Sequence, residues 1–464
     1  MSPTVPAPGP RRLWRKRYLV LLVIGALALW HWFNASRGNR VLDRLRAAGY
    51  PTTPAELDRW YAAVPPAENL SGPVLRAAGA LRLPTGKTNH GLPYLGATSS
   101  EPLPAPPVDP AVLARWKAVV DANAEVWTIL AEARNRTRSR TPINLNQGFN
   151  TLLPALSQIK QLAQACAIRS VVAAEEGKSA EAMEALQDLL RVRQSILSEP
   201  LLISGLVGFA ADQIGLRASR DCIARVRFSD AQLVAYATQI QAIASTNVLE
   251  RALVGEFACG LSAFTGSPSL LAGPLLAGPG GPPGGSSVGA SFGIGLYRAS
   301  GLAAADEAFY LRFMGDFIDS TTRPFPASLD TADRLQQELG QMQFPFRLRL
   351  FSQMLLPAIT TSATRNAEDQ AHLRMLLTTL AVERHRRQHQ EQPPADLTTL
   401  VPALLSEIPV DPFDGKPLRY TVLANGYRIH SIGPDRKDND GKPRPTGKNR
   451  TGSDEYDLVF EIAR

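Results

Sequence analysis

His385 and His389 stand four residues apart in the segment Glu383-Arg-His-Arg-Arg-Gln-His389. That spacing puts two imidazoles on one helix face, as in many zinc sites. The glutamate that zinc hydrolases carry beside the first histidine is absent, and three arginines crowd the pair. Basic side chains at a helix C-terminus complement its dipole, so the segment reads as a helix end. The run Gly278-Pro-Gly-Gly-Pro-Pro-Gly-Gly-Ser-Ser287 resembles a phosphate cradle only in its glycines. No lysine follows in the P-loop position, and the prolines remove the N–H donors a cradle uses. It reads as a flexible surface loop. Neither GxSxG nor HExxH occurs, and His90, His372 and His430 have no evident partners. Glu175-Glu176 falls in a turn and reads as solvated. A mechanism built on Glu and Asp alone needs no motif, which keeps a hydrolase as the alternative function. Cys166, Cys222 and Cys259 form no CxxC spacing and read as buried free thiols.

The elements that position these residues belong to a chain of 464 residues, 44% hydrophobic and 20% charged. That is enough for two or three compact regions with real cores. Aromatics are only 7%, so the core must rest on Leu, Ala and Val. The net charge of +8 is a property of one end: residues 1–40 hold seven Lys or Arg and no acid. The rest balances 43 basic against 42 acidic residues, which argues against a nucleic-acid surface.

That basic end precedes an apolar run, Tyr18 to Phe33. As a helix its sixteen residues span about 24 Å, short of the ~30 Å hydrocarbon core. Trp14 and Tyr18 at one end, and Trp30, Trp32 and Phe33 at the other, suit the two interfaces. Five cations precede the run, so residues 1–17 are expected in the cytoplasm and the body outside it, in the periplasm. A cleaved signal peptide is the alternative, because Ala26-Leu27-Ala28 is formally small-x-small. Leu29-Trp30 directly after that site favours an uncleaved anchor.

The body divides by composition. Residues 34–110 are Pro-rich and irregular, with a helix start at Thr53-Pro54-Ala-Glu56. Residues 111–265 are helical. Two periodic stretches, 152–174 and 180–197, flank a Gly177 turn and predict a helical hairpin. Residues 266–295 form the Gly/Pro-rich loop and 296–365 return to helix. Within 366–464, an amphipathic helix over 368–388 gives way to strands. Leu418–Leu423 and Tyr427–Ile432 flank Asn425-Gly426 as a hairpin, and Tyr456–Ile462 supplies another strand. The expected fold is mainly α: a helical body with a small C-terminal α+β module of helix plus antiparallel sheet.

Four quoted segments carry a family likeness: Ala395-Asp-Leu-Thr-Thr-Leu-Val-Pro402, Ile408-Pro-Val-Asp-Pro-Phe-Asp-Gly-Lys-Pro-Leu418, Tyr427-Arg-Ile-His-Ser-Ile-Gly-Pro-Asp435 and Asp457-Leu-Val. Their order resembles the C-terminal part of the major pseudopilins of type II secretion, over roughly the last fifth of the chain. In that family a leader joins this helix directly, whereas here over three hundred residues intervene, so a standard filament subunit is not expected. Phe413-Asp414 stands where the family has a tryptophan. The opening at 55–69, Ala-Glu-Leu to Val-Pro-Pro-Ala-Glu-Asn, with this ending, also resembles membrane-anchored bacterial proteins for which no activity is implied.

The pseudopilin likeness implies a calcium ion in the loop before the last strand. The matching acids are Asp435, Asp438, Asp440 and Asp457, with Asn439 and the Ser431 region as further oxygen donors. The loop is not an EF-hand: with Asp438, Asp440 and Gly441 at positions 3, 5 and 6, Arg436 falls at 1 and Gly447 at 12. From 435 to 457 six acids meet six cations. The expected function is that of a non-enzymatic, single-pass envelope protein, anchored in the membrane through residues 18–33. Its pseudopilin-like, calcium-stabilised module would meet a protein partner, with no nucleic acid involved. An accessory part of a secretion or pilus-like machine is a further alternative.

Overall fold

Alanine-rich helix faces let backbones approach closely, and the centre of the body is built that way. α6 (Leu156–Glu175) and α7 (Ser179–Gln194) form the hairpin, burying Ile159, Ala163, Cys166 and Ala167 against Ala182, Leu186 and Leu189. Their turn is a Schellman motif: Gly177 takes φ +74°, Lys178 N donates to Ala173 O and Gly177 N to Ala174 O. The computed structural model of the protein describes residues 10–84, 91–95, 103–266, 287–341, 349–445 and 455–463.

The end of α1 (Pro10–Ala47) and two short helices, α2 (Pro54–Trp60) and α3 (Ser71–Ala80), lie in the Pro-rich stretch before α4 (Pro110–Asp121) and α5 (Ala124–Ala131). Thr53 caps α2 by accepting from Glu56 N at 3.2 Å, while the Glu56 carboxylate reaches back to Thr52 N at 2.7 Å. α8 (Leu202–Arg225) crosses the hairpin. The last part of the helical region expected over 111–265 divides into α9 (Asp230–Ala244) and α10 (Val248–Thr265), because Asn247 caps a new start by accepting from Glu250 N. The Gly/Pro run at 278–286 lies outside the described residues, and Ser287 opens α11 (Ser287–Ala299). α12 (Leu302–Thr321) places Phe309, Tyr310, Phe313 and Phe317 in the core, and α13 (Ala327–Gln341) covers it.

Two helices run across the composition boundaries. α1 continues past Phe33 to Ala47, and its second half packs on α12 at a crossing made by glycines. A Cβ on Gly38 would meet Leu311 Cδ1 at 2.9 Å, and one on Gly315 would meet Val41 Cγ1 at 2.9 Å. α14 (Leu350–Gln388) is one 39-residue helix with Pro357 inside it, where the periodicity suggested a start near 368. Ala363, Ala367 and Ala371 are buried along it and offer nothing to break the helix.

Among the described residues, no helix is long and apolar enough to cross a membrane. The stretch read as an anchor, 18–33, lies inside α1, and most of its side chains fall outside the described residues. Those that are described, Tyr18, Leu22, Leu29, Trp30, Trp32 and Phe33, are all exposed.

The fold is mainly α, with a small antiparallel sheet near the C-terminus in the order β1 (Arg419–Leu423), β2 (Gly426–Ser431), β3 (Leu458–Ala463). Leu423 pairs with Gly426, so the hairpin loop is Ala424-Asn425, one residue earlier than an Asn-Gly turn. A Cβ on Gly426 would lie 1.8 Å from Ile462 O, which requires glycine beside β3. Tyr427, Ile429, Phe460 and Ile462 form the inner face against α8 and α14, continuous with the helical core. Tyr427 Oη donates to Glu383 of α14 at 2.9 Å.

Candidate metal centre in the loop before the last strand

The loop between β2 and β3 starts from a fixed point, the buried Asp411. Its Oδ1 accepts from Ser431 Oγ at 2.8 Å and Phe413 N at 3.0 Å; its Oδ2 accepts from Ile432 N at 2.8 Å and Arg419 at 2.9 Å. Burial pushes the Asp411 carboxyl up from its ordinary value, against the pull of these donors. One carboxylate thus ties the Asp-Pro-Phe turn to the end of β2, which gives both segments a shared structural task. Arg419 also donates to Asp414 at 2.6 Å and to Asp438 at 3.2 Å.

Beyond Ile432 the backbone coils through left-handed conformations at Gly433, Arg436, Asp440 and Gly441. Such a φ is unfavourable for arginine, and Arg436 is held by ion pairs to Asp330 and Asp333 of α13 at 2.6 and 2.8 Å. The coil turns its N–H groups on the buried Asp457, which accepts from Asn439 N at 3.1 Å and Gly441 N at 2.6 Å. Asp435 accepts from Lys437 N at 3.0 Å.

These contacts divide the four acids. Asp435 and Asp457 converge on the side-chain amide of Asn439, whose Nδ2 lies 3.1 Å from Asp435 Oδ2, 3.1 Å from Lys437 O and 3.5 Å from Asp457 Oδ1. Three oxygens around one donor make the kind of environment a hard cation takes, and rotating the amide would add a fourth oxygen. The donor chemistry therefore fits calcium. Asp440 is exposed, and among the described residues its carboxylate joins no cluster.

Asp438 belongs to a second group with Asp457 and His430, whose candidate ligand atoms lie within 4.8 Å of one another. His430 Nε2 is 3.3 Å from Asp438 Oδ1 and 3.8 Å from Asp457 Oδ2. A nitrogen in the set suits a borderline metal better than calcium. Two features oppose a metal here. Arg419 puts a positive charge against Asp438, and buried His430 Nδ1 meets no partner among the described residues, so the outer hydrogen bond that usually fixes a metal-ligating imidazole is missing. Burial raises the Asp438 carboxyl, but His430, the Asp440 N–H and Arg419 outweigh it and hold it below its ordinary value. The ion pair shown at this group is Arg419 with Asp438, at 3.2 Å.

His430 and Arg419 carry no motif; only the pairing of β1 with β2, which sets Arg419 opposite His430, brings them together. His385 and His389 stack with centroids 3.9 Å apart, and His389 Nδ1 lies 2.9 Å from His385 O. Burial and the neighbouring ring push His385 down from its ordinary value. The three cysteines are free and buried. No family model matches the chain, and no curated protein or solved structure matches it.

Proposed function

We propose that the protein is a membrane-anchored, non-enzymatic envelope protein whose C-terminal module, resembling that of the pseudopilins, binds calcium and a protein partner. The observation that carries the anchor is the unlike pair of halves in α1. One half exposes Leu22, Leu29, Trp30, Trp32 and Phe33, while the other buries Leu45 and docks on α12. Water does not favour five large apolar side chains along one short stretch of helix, and a lipid phase does. The charge distribution supports residues 1–17 in the cytoplasm and the body in the periplasm.

For calcium, the support is the convergence of Asp435, Asp457, the Lys437 carbonyl and the Asn439 amide. A bound ion would supply charge compensation to the two carboxylates and stiffen the coil; no catalytic step is assigned to it. For a protein partner, the support is β1, which pairs with β2 on one side and with no strand on the other among the described residues. Open strand edges accept extended segments of other chains.

The test of the anchor is carbonate extraction of membranes from cells expressing the full chain. Retention in the pellet, lost when Leu22 and Leu29 are both changed to Arg, is the expected result. Release of the unaltered chain into the carbonate supernatant would overturn the reading.

A further inference from the structure

Directly after the exposed apolar half of α1, the helix meets α12 across a groove of about 620 Å³. Five arginines line it, Arg37, Arg40, Arg44, Arg312 and Arg349, against a single carboxylate, Glu338. Two of the five are neutralised nearby: Arg44 pairs with Asp319 at 3.1 Å, and Arg312 pairs with Glu338 and, at 3.6 Å, with Asp316. Arg37 and Arg40 have no acidic partner among the described residues. Arg37 lies 4.3 Å over the Phe33 ring, and Arg40 Nε donates to the Ser36 carbonyl at 3.4 Å. Arg349 and Arg312 both lie over the Phe309 ring, at 4.1 and 5.1 Å, so the floor of the groove is an aromatic face under two guanidinium groups.

We infer that this groove binds the phosphate headgroup of an anionic phospholipid. Three features select that occupant. Guanidinium groups match phosphate oxygens in forked pairs. Arg37 and Arg40 sit one and two turns beyond Phe33, the last residue of the apolar stretch, which is the depth of a headgroup layer when 18–33 is in the hydrocarbon. Ala305, Ala308 and Val41 in the same wall leave an apolar path for an acyl chain. The glycine-mediated crossing at Gly38 and Gly315 fixes α1 against α12, so the two arginine rows face each other without rearrangement. The inference rests on the anchored reading of 18–33 and deepens it: the lipid would set the tilt of the body on the membrane, not merely attach it.

The test uses the full chain purified in a neutral detergent, with thermal unfolding followed after doping the micelles with phosphatidylglycerol, with phosphatidylcholine, or with inorganic phosphate. A rise in melting temperature with phosphatidylglycerol alone, abolished in R37Q/R40Q while the undoped melting temperature stays unchanged, is expected. R40Q alone should lose about half of the rise, and it serves if the double variant misfolds. No rise, an equal rise with phosphatidylcholine, or a rise that survives in the variants would overturn the inference. An equal rise with inorganic phosphate would overturn the lipid as occupant. Carbonate extraction reports on the anchor separately: a chain retained in the membrane but indifferent to phosphatidylglycerol keeps the anchor and loses the groove.

Discussion

Arg193 Nε donates to Asp212 Oδ2 at 2.6 Å, and both side chains are wholly buried between α7 and α8. Gly208 makes room for the guanidinium; a Cβ there would come within 2.7 Å of it. Breaking such a pair from one side leaves an uncompensated charge in the core, at a cost of about 3–5 kcal/mol. Arg193→Met should therefore lower the melting temperature strongly, and R193M/D212L should recover much of the loss. A double variant as unstable as the single one would contradict this account of the pair.

Asp369 of α14 lies against the same Asp212, and burial, then the neighbouring charge, push its carboxyl well above the ordinary range. Burial raises Asp212 as well, against the pull of Arg193. Between the ordinary carboxylate pKa and these raised values the native pair binds more protons than the unfolded chain, so the pair's contribution to stability is fully present below the ordinary value and falls as pH rises. Asp369→Asn removes the share of this proton linkage that Asp369 carries. Melting temperatures measured from pH 5 to pH 9 should fall with pH in the wild type and run flatter in the variant; parallel curves would refute the assignment.

Asp411 holds two backbone N–H groups, a serine hydroxyl and Arg419 at once. Asp411→Ala leaves these donors buried and unmatched, and a buried charged acceptor is worth on the order of 3 kcal/mol or more. Hydrogen exchange should show early opening of β2 and the 432–441 coil, with α6 and α7 protected as before. Uniform loss of protection across the chain would mean that the module does not open on its own.

Calcium should raise the melting temperature of the full chain relative to chelator, by an amount equivalent to about 2.7 kcal/mol at a hundred times the dissociation constant. Asp435→Asn should abolish that rise, because Asp435 shares the Asn439 amide with Asp457. Asp440→Asn should keep it. The opposite ranking of the two variants would move the ion to a different set of ligands.

Gly255 in α10 faces the Pro200 carbonyl so closely that a Cβ would sit 1.5 Å from the oxygen. Backbone cannot yield as a side-chain end can, so Gly255→Ala should cost about 1–3 kcal/mol or more. Gly38→Ala meets only the tip of Leu311 and should cost less. Thermal unfolding of the two variants side by side decides the order.

What the sequence determined by itself was local. The Thr53 cap, the Gly177 turn, the hairpin loop near Asn425 and the helical period of 152–197 are written in neighbouring residues, because capping, left-handed φ and periodicity act over a turn or two. The four loop acids were named as a group only through the pseudopilin likeness. Tertiary structure decided which of them meet. Asp457 directly precedes β3 and Asp435 lies in the coil, and the pairing of β2 with β3, with the Pro443–Asp457 bridge, brings both to Asn439. Arg419, assigned to Asp438 by the pairing of β1 with β2, has no local signal at all. The same holds for Asp411 and Ser431, twenty residues apart, and for the arginine groove, where α1 meets α12 across more than 250 residues of chain. Side-chain chemistry sets what each residue can bind, but long-range packing alone sets which charges face one another.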